Sequence, residues 1–176
     1  MFTNLGIESM EFDAFLLSKA MIVGGLGSWL MMAACNNLAD PNTNITLLNK
    51  MMTLESIVAD GDLGLGLVGR ATNISKKIPL LLKTIAFVQI GIALCLLFSS
   101  GMLALVSLSL SGISQEASVS VATLSVTLFM GMWWFFIIGG LWFGYWIKMG
   151  TVQMVHFTLL IISILVITVL NLSGYP

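Results

Sequence analysis

The stretch Pro79–Leu105, PLLLKTIAFVQIGIALCLLFSSGMLAL, decides how the chain must fold. It carries one charge, Lys83 near its entrance, and one amide, Gln89 near its middle. A run this long and this apolar is able to cross the roughly 30 Å hydrocarbon layer of a bilayer as an α-helix. In lipid the backbone amides find no water, so they must close on themselves inside the helix. The Gln89 side chain has no such internal solution. A lone amide in lipid is costly, and it is expected to face another helix. Pro79 suits the first turn, where helix N–H groups are unpaired in any case.

Outward from this span, three more runs of the same kind appear. The first extends from Phe12 to Cys35 and is uncharged from Ala20 to Ala34. Lys19 lies about two turns inside it and is expected to snorkel towards a headgroup. Gly24, Gly25, Gly27 and Ser28 give this helix a small-residue face, which lets another helix approach closely. The third run covers Val121 to Ile147 and ends in an aromatic cluster. Trp142 to Trp146 is expected to mark a membrane interface, and Gly140 and Gly144 form a G-x-x-x-G packing pair. The fourth runs from Met154 to Leu172. Val106 to Ser120 is serine-rich and reads as a loop or helix end, and Lys148 to Gln153 as a tight turn.

Composition agrees. Of 176 residues, 58% are hydrophobic and 9% charged, and the mean hydropathy is +1.03. A soluble domain carries about 25% charged residues, so lipid must be the solvent for much of this chain. The expectation is an all-α integral membrane protein: one membrane domain, 1–176, forming a four-transmembrane-helix bundle. The net charge of −1, without a basic stripe, excludes a nucleic-acid partner. The N-terminus lacks the basic region of a signal peptide, so the first span is expected to be retained. Cys35 and Cys95 sit in apolar surroundings and read as buried thiols acting as small hydrophobes, without a disulfide.

The first loop is the long one. Asn36 to Asn44, dense in Asn, Asp and Pro, is expected to stop the first helix and turn, with Asn42, Thr43 or Asn44 capping the next. Residues 45–59 place Leu47, Leu48, Met51, Leu54 and Val58 on one side, which predicts an amphipathic helix at the interface or covering the spans. Asp60 to Lys77 is a glycine-rich connector containing Gly64-Leu65-Gly66-Leu67-Val68-Gly69. This formal G-x-G-x-x-G match lacks the βαβ context that nucleotide binding requires. Lys50, Arg70, Lys76, Lys77 and Lys148 place loops one and three in the cytoplasm by the positive-inside rule.

Two stretches are more specific than hydropathy. One is Asn36-Asn37-Leu38-Ala39-Asp40-Pro41-Asn42-Thr43-Asn44, continuing into Leu47 to Glu55. The other is Gly139-Gly140-Leu141-Trp142-Phe143-Gly144-Tyr145-Trp146, followed by Gln153 and His156-Phe157. Together they resemble the DUF2165 family of predicted small bacterial integral membrane proteins. That family shows an N-N-x-T-D-Y-x-S-N-F segment leading into V-x-H-V-L-S-M-D, and later G-G-E-W-F-x-M-W-Q-S. Asp40 and Asn44 match, Glu55 stands at the aspartate, and Arg70-Ala71 looks like the family's W-R-A-I. Leu141 stands at the glutamate of the later motif, Gln89 at or near a second-helix glutamate, and Lys50 at the histidine. If those acids form a buried pair in the family, this chain has lost its charge, which speaks against a proton or ion conductor. The resemblance implies a bacterial inner-membrane location and an N-terminus inside, opposite to the charge count. It brings no activity.

Chemistry by motif is sparse. His156 is the only histidine, so a metal or haem would lack further ligands. Met130-Gly131-Met132 is the one M-x-M and does not repeat, so the methionines read as packing rather than a copper site. Asp40, Glu55, Asp60 and Asp62 read as solvated loop charge or as partners of Lys50 and Arg70. No cofactor is expected, and bound lipids are. The leading expectation is a non-catalytic accessory subunit of a larger membrane complex, with a membrane-bound oxidoreductase as first host and other integral subunits as partners. One alternative is a self-associated transporter or channel with Gln89, Lys83 and Lys19 along its path. Another is a quinone- or cofactor-binding redox subunit using the Trp142–Trp146 end and His156.

Overall fold

The computed structural model describes residues 12–172. Among them are seven α-helices and no strand: α1 Ala14–Ala39, α2 Pro41–Met52, α3 Glu55–Asp60, α4 Ile78–Ser107, α5 Gln115–Trp142, α6 Tyr145–Lys148 and α7 Gly150–Leu170. Two 3-10 turns, Leu65–Arg70 and Ser75–Lys77, complete the first connector. Among the described residues, α1, α4, α5 and α7 are the four helices long and apolar enough to cross a membrane.

Local chemistry starts these helices. The Asp13 carboxylate accepts from the Leu16 N–H at 2.8 Å at the head of α1, and the Ser114 hydroxyl accepts from Ala117 N at 3.2 Å at the head of α5. Each meets a donor that the first helical turn leaves unpaired. Pro41 and Pro79 occupy the first turns of α2 and α4.

The long helices pack in chain order, α1 on α4, α4 on α5 and α5 on α7. The α1–α4 seam is the tightest. A Cβ on Gly24 would lie 2.7 Å from Ser100 Oγ, and one on Gly27 would lie 3.0 Å from Leu96 Cβ. Small residues here let the backbones approach, the usual means of association where lipid removes the hydrophobic drive. Ser100 Oγ donates across the seam to Ala20 O at 2.7 Å, and Ser125 Oγ joins α5 to α4 through Cys95 O at 3.2 Å. Other buried hydroxyls, such as Ser99 and Ser163, bond back to their own helices. Outward-facing Phe87, Phe98, Phe135 and Leu165 present an apolar surface suited to acyl chains.

Lys19 does not snorkel. It is buried, and its ammonium donates to Leu170 O and Leu172 O at 2.8 Å each while lying 4.6 Å above the Phe15 ring. The last carbonyls of a helix have no intrahelical donor and carry its negative dipole end, so they solvate this cation and tie α1 to the end of α7.

Several boundaries differ from the sequence expectation. The Asn-rich segment does not stop α1 at Cys35. The helix runs on to Ala39, breaks only at Asp40 and restarts at Pro41, so Asn42, Thr43 and Asn44 lie inside α2. Asp40 is the cap residue, and its carboxylate accepts from Thr43 Oγ1 at 2.6 Å. The expected single helix over 45–59 is broken at Thr53–Leu54, where Leu54 takes a left-handed φ of 56°; the bend buries both Leu54 and Ile57. The serine-rich stretch is a loop between helix ends, as expected: α4 ends at Ser107, residues 108–114 form the loop and α5 begins at Gln115. The third span ends at Trp142 rather than Ile147, because Gly144 turns left-handed at φ 63° and starts α6. Both cysteines are free and face outward rather than being buried.

Candidate functional site

At the end of the bundle where loops one and three meet, the helices frame a half-open cavity of about 300 Å³. Trp29, Ala33 and Asn37 of α1, Gln89 of α4, Trp133 and Phe136 of α5 and His156 of α7 contribute to its wall. The apolar face of α2, with Leu47, Leu48 and Met51, covers it. No Lys, Arg, Asp or Glu lines it.

An aromatic cage forms one side. The His156 ring lies 5.5 Å from Trp133, 5.4 Å from Phe136 and 5.9 Å from Tyr145, centre to centre, and stacks on the last at 28°. Trp29 meets Trp133 at 6.0 Å. Tyr145 reaches the cage because of two glycines. Gly144 allows the left-handed turn after α5, and Gly140 offers its bare Cα to the ring. A Cβ at Gly140 would lie 2.6–2.7 Å from three ring atoms of Tyr145. The G-x-x-x-G pair is therefore a turn and a seat for Tyr145, not a helix-pairing face.

The polar groups fall into two sets. Asn44 Nδ2 donates to Asn37 Oδ1 at 2.5 Å, and Asn37 Nδ2 donates to Gln89 Oε1 at 2.8 Å. This relay ends on the Gln89 amide nitrogen, which remains as a donor beside the cavity. The second set has no protein partner. Of the five buried side-chain polar atoms without one among the described residues, Trp133 Nε1, Tyr145 Oη and His156 Nδ1 all belong to residues lining this cavity. Each such atom costs about 1–3 kcal/mol if left unmatched. Trp133 is 4% and Tyr145 3% exposed, so bulk solvent does not meet the need. Burial also holds the Tyr145 phenol above its ordinary value of 10.0, keeping it a neutral O–H.

The DUF2165 family model, a predicted small integral membrane protein, matches residues 15–173. The chain belongs to this family. No curated protein and no solved structure matches it.

In this DUF2165 protein both motif stretches converge on one end of the bundle. Asn37 and Asn44 come from the first, and Gly140 and Tyr145 from the second. Arg70 joins them from outside: its guanidinium lies 4.7 Å over the Trp142 ring, and Nη1 donates to Trp142 O at 3.1 Å, closing the C-terminal end of α5. Asp60 pairs with Lys148 at 2.6 Å rather than with Lys50 or Arg70, stapling α3 to α6. Gly139 and Phe143 are partly buried, whereas Asn36, Asp40, Glu55 and Trp146 face outward. Leu141 faces outward too, while Gln89 faces the cavity, so these two positions do not form a buried pair here.

The remaining sequence candidates disperse. Gly24 packs inside the bundle, but Gly25 meets nothing within 4 Å and Ser28 is exposed. Of Gln89, Lys83 and Lys19, Gln89 alone lines the cavity; Lys83 faces outward and Lys19 sits at the opposite end. Among the described residues, no group of three or more His, Cys, Asp or Glu side chains is placed to hold a metal. Sequence reasoning paired the Trp142–Trp146 end, which holds Tyr145, with His156, but missed Trp29 and Trp133 as parts of the same site. A tryptophan at helical spacing carries no sign of which face it occupies.

Proposed function

We propose that this protein holds a small, uncharged, largely apolar molecule inside the membrane, as a non-catalytic binding protein. One observation carries the reading: a charge-free cavity of about 300 Å³ has a largely apolar and aromatic wall that also includes the hydrogen-bonded amides of Asn37, Asn44 and Gln89. Small-molecule sites are mostly apolar with a few convergent polar groups, and this cavity has that make-up. Lipid supplies no water to satisfy such groups from outside.

The test uses the full chain in lipid nanodiscs, titrated with an apolar fluorescent alcohol. Saturable binding is expected in the native chain. Ala33→Trp, which fills the cavity from α1, is expected to abolish it while the helical circular dichroism is retained. Equal binding by native and Ala33→Trp chains overturns the reading.

A second reading, an accessory subunit in a larger complex, draws on Gly25 and Ser28. They sit one turn apart on the outer face of α1, where a further helix would pack. Native gel migration after mild extraction tests it, and migration as a lone chain overturns it.

A further inference from the structure

We infer that the outward face of α4 beside Lys76, Lys77 and Lys83 seats one anionic phospholipid, with its phosphate among the lysines and an acyl chain along the helix. The site is separate from the cavity and does not depend on what the cavity holds.

The cations are spread unevenly over the bundle. Six of the seven Lys and Arg residues belong to the end formed by loops one and three, and the seventh, Lys19, is buried at the opposite end. Three of the six are engaged or point elsewhere. Lys148 pairs with Asp60, Arg70 lies over Trp142, and Lys50 lines a groove with Phe143 and Lys148. Lys76, Lys77 and Lys83 are exposed, and none of them makes a hydrogen bond or ion pair with another described residue. The helix packed beside this end of α4 is α2, which contains no acid, and the carboxylate of its cap residue Asp40 is held by Thr43.

Helix geometry aligns two of these lysines with an apolar track. At about 3.6 residues per turn, Lys76, Lys83, Phe87, Gly91, Leu94 and Phe98 share one narrow face of α4 and of the turn that leads into it. All six are exposed. Lys83 stands about 8 Å inside the start of α4, between Leu80 and Phe87, which are 68% and 65% exposed. A cation in such apolar company is costly unless its stem carries it to a counter-charge at headgroup level. No protein group supplies that charge, so it comes from the lipid. A zwitterionic headgroup brings its own cation to its phosphate, whereas an anionic one does not, and each juxtamembrane lysine adds to the attraction. Below the lysines, Gly91 leaves a notch between Phe87 and Phe98, because a Cβ there would meet nothing within 4 Å. An acyl chain descending from Lys83 lies in that notch against Leu94.

The experiment titrates the detergent-solubilised full chain with phosphatidylglycerol and, separately, with phosphatidylcholine of the same acyl chains, and counts bound lipid by native mass spectrometry. Half-saturation at a several-fold lower concentration of phosphatidylglycerol is expected. Lys83→Gln should raise that concentration about fivefold, and Lys76→Gln with Lys83→Gln further still, with phosphatidylcholine unaffected. Lys50→Gln, which removes a cation of the same end from another face, should change neither. Gly91→Phe fills the notch and should weaken phosphatidylglycerol binding with all the lysines in place. These side chains are exposed, and an unchanged helical circular dichroism spectrum confirms that each variant folds. Equal half-saturation by the two lipids overturns the inference, as does phosphatidylglycerol binding that Lys76→Gln with Lys83→Gln leaves unmoved or that Lys50→Gln weakens as much. Displacement of the lipid by an equal concentration of glycerol phosphate, the same anion without chains, would make this a site for a free anion and overturn it too.

Discussion

Gly140 shows how much one missing methyl group sets here. Its bare Cα is the surface on which the Tyr145 ring rests, and the nearest ring atoms stand 2.6 Å from where a Cβ would be. Gly140→Ala is expected to destabilise the protein by about 1–3 kcal/mol, the usual cost of overpacking a filled site. Thermal unfolding in detergent checks this. Gly25→Ala is the matched control, since its Cβ meets nothing within 4 Å; it should be neutral or slightly stabilising. Tyr145 makes a second prediction at this scale. Its phenol is raised by burial, so the folded state binds that proton more tightly than the unfolded state. The associated stability is complete below the ordinary value of 10.0 and is lost as pH rises above it towards the folded value. Tyr145→Phe should flatten the alkaline limb of a melting-temperature profile, and an unchanged limb would refute the assignment. The sequence alone gave Gln89 away, because a solitary amide in a hydrophobic run has to be met by something. It gave no comparable hint for Asn37, which reads as turn chemistry until the helix is seen to continue past it.

Between elements, the amide relay from α2 through α1 to α4 is the joint that registers the cavity's walls. Asn37→Leu leaves Gln89 Oε1 and Asn44 Nδ2 unmatched and should cost about 1–3 kcal/mol. Replacing Gln89 by Leu as well removes the orphaned acceptor, so the double variant should recover part of the loss. A double-mutant cycle on thermal stability measures the coupling, and simple additivity would show that the relay is not a unit. The same elements explain where sequence reading stops. Hydropathy finds the spans because crossing a bilayer asks for length and apolarity, which a single chain displays. It misplaces their ends because polar residues at an interface stay helical whenever a neighbouring side chain satisfies them, as Asn37 and Asn44 do. Gly144 was legible as a small residue but not as a left-handed turn, since both uses share one letter.

Across the whole molecule, the bundle is closed at one end by Lys19 and holds a cavity at the other. Lys19→Met keeps the stem and removes the cation, leaving the Leu170 and Leu172 carbonyls without their charged donor. A hydrogen bond to a charged group contributes about 1.5–3 kcal/mol. A lowered unfolding midpoint is expected, with little change in ligand binding at the far end; a loss of binding would mean that the two ends are coupled. The two outward-facing thiols extend the picture in a different direction. Cys35 stands one turn from the end of α1, on the side of loops one and three, while Cys95 lies roughly 18 Å from the nearer end of α4. Thiolate chemistry needs water, so a membrane-impermeant sulfhydryl reagent should modify Cys35 and spare Cys95. The native chain thus carries its own compass: whether intact cells or inverted vesicles yield the labelled product tells which compartment the cavity end looks into.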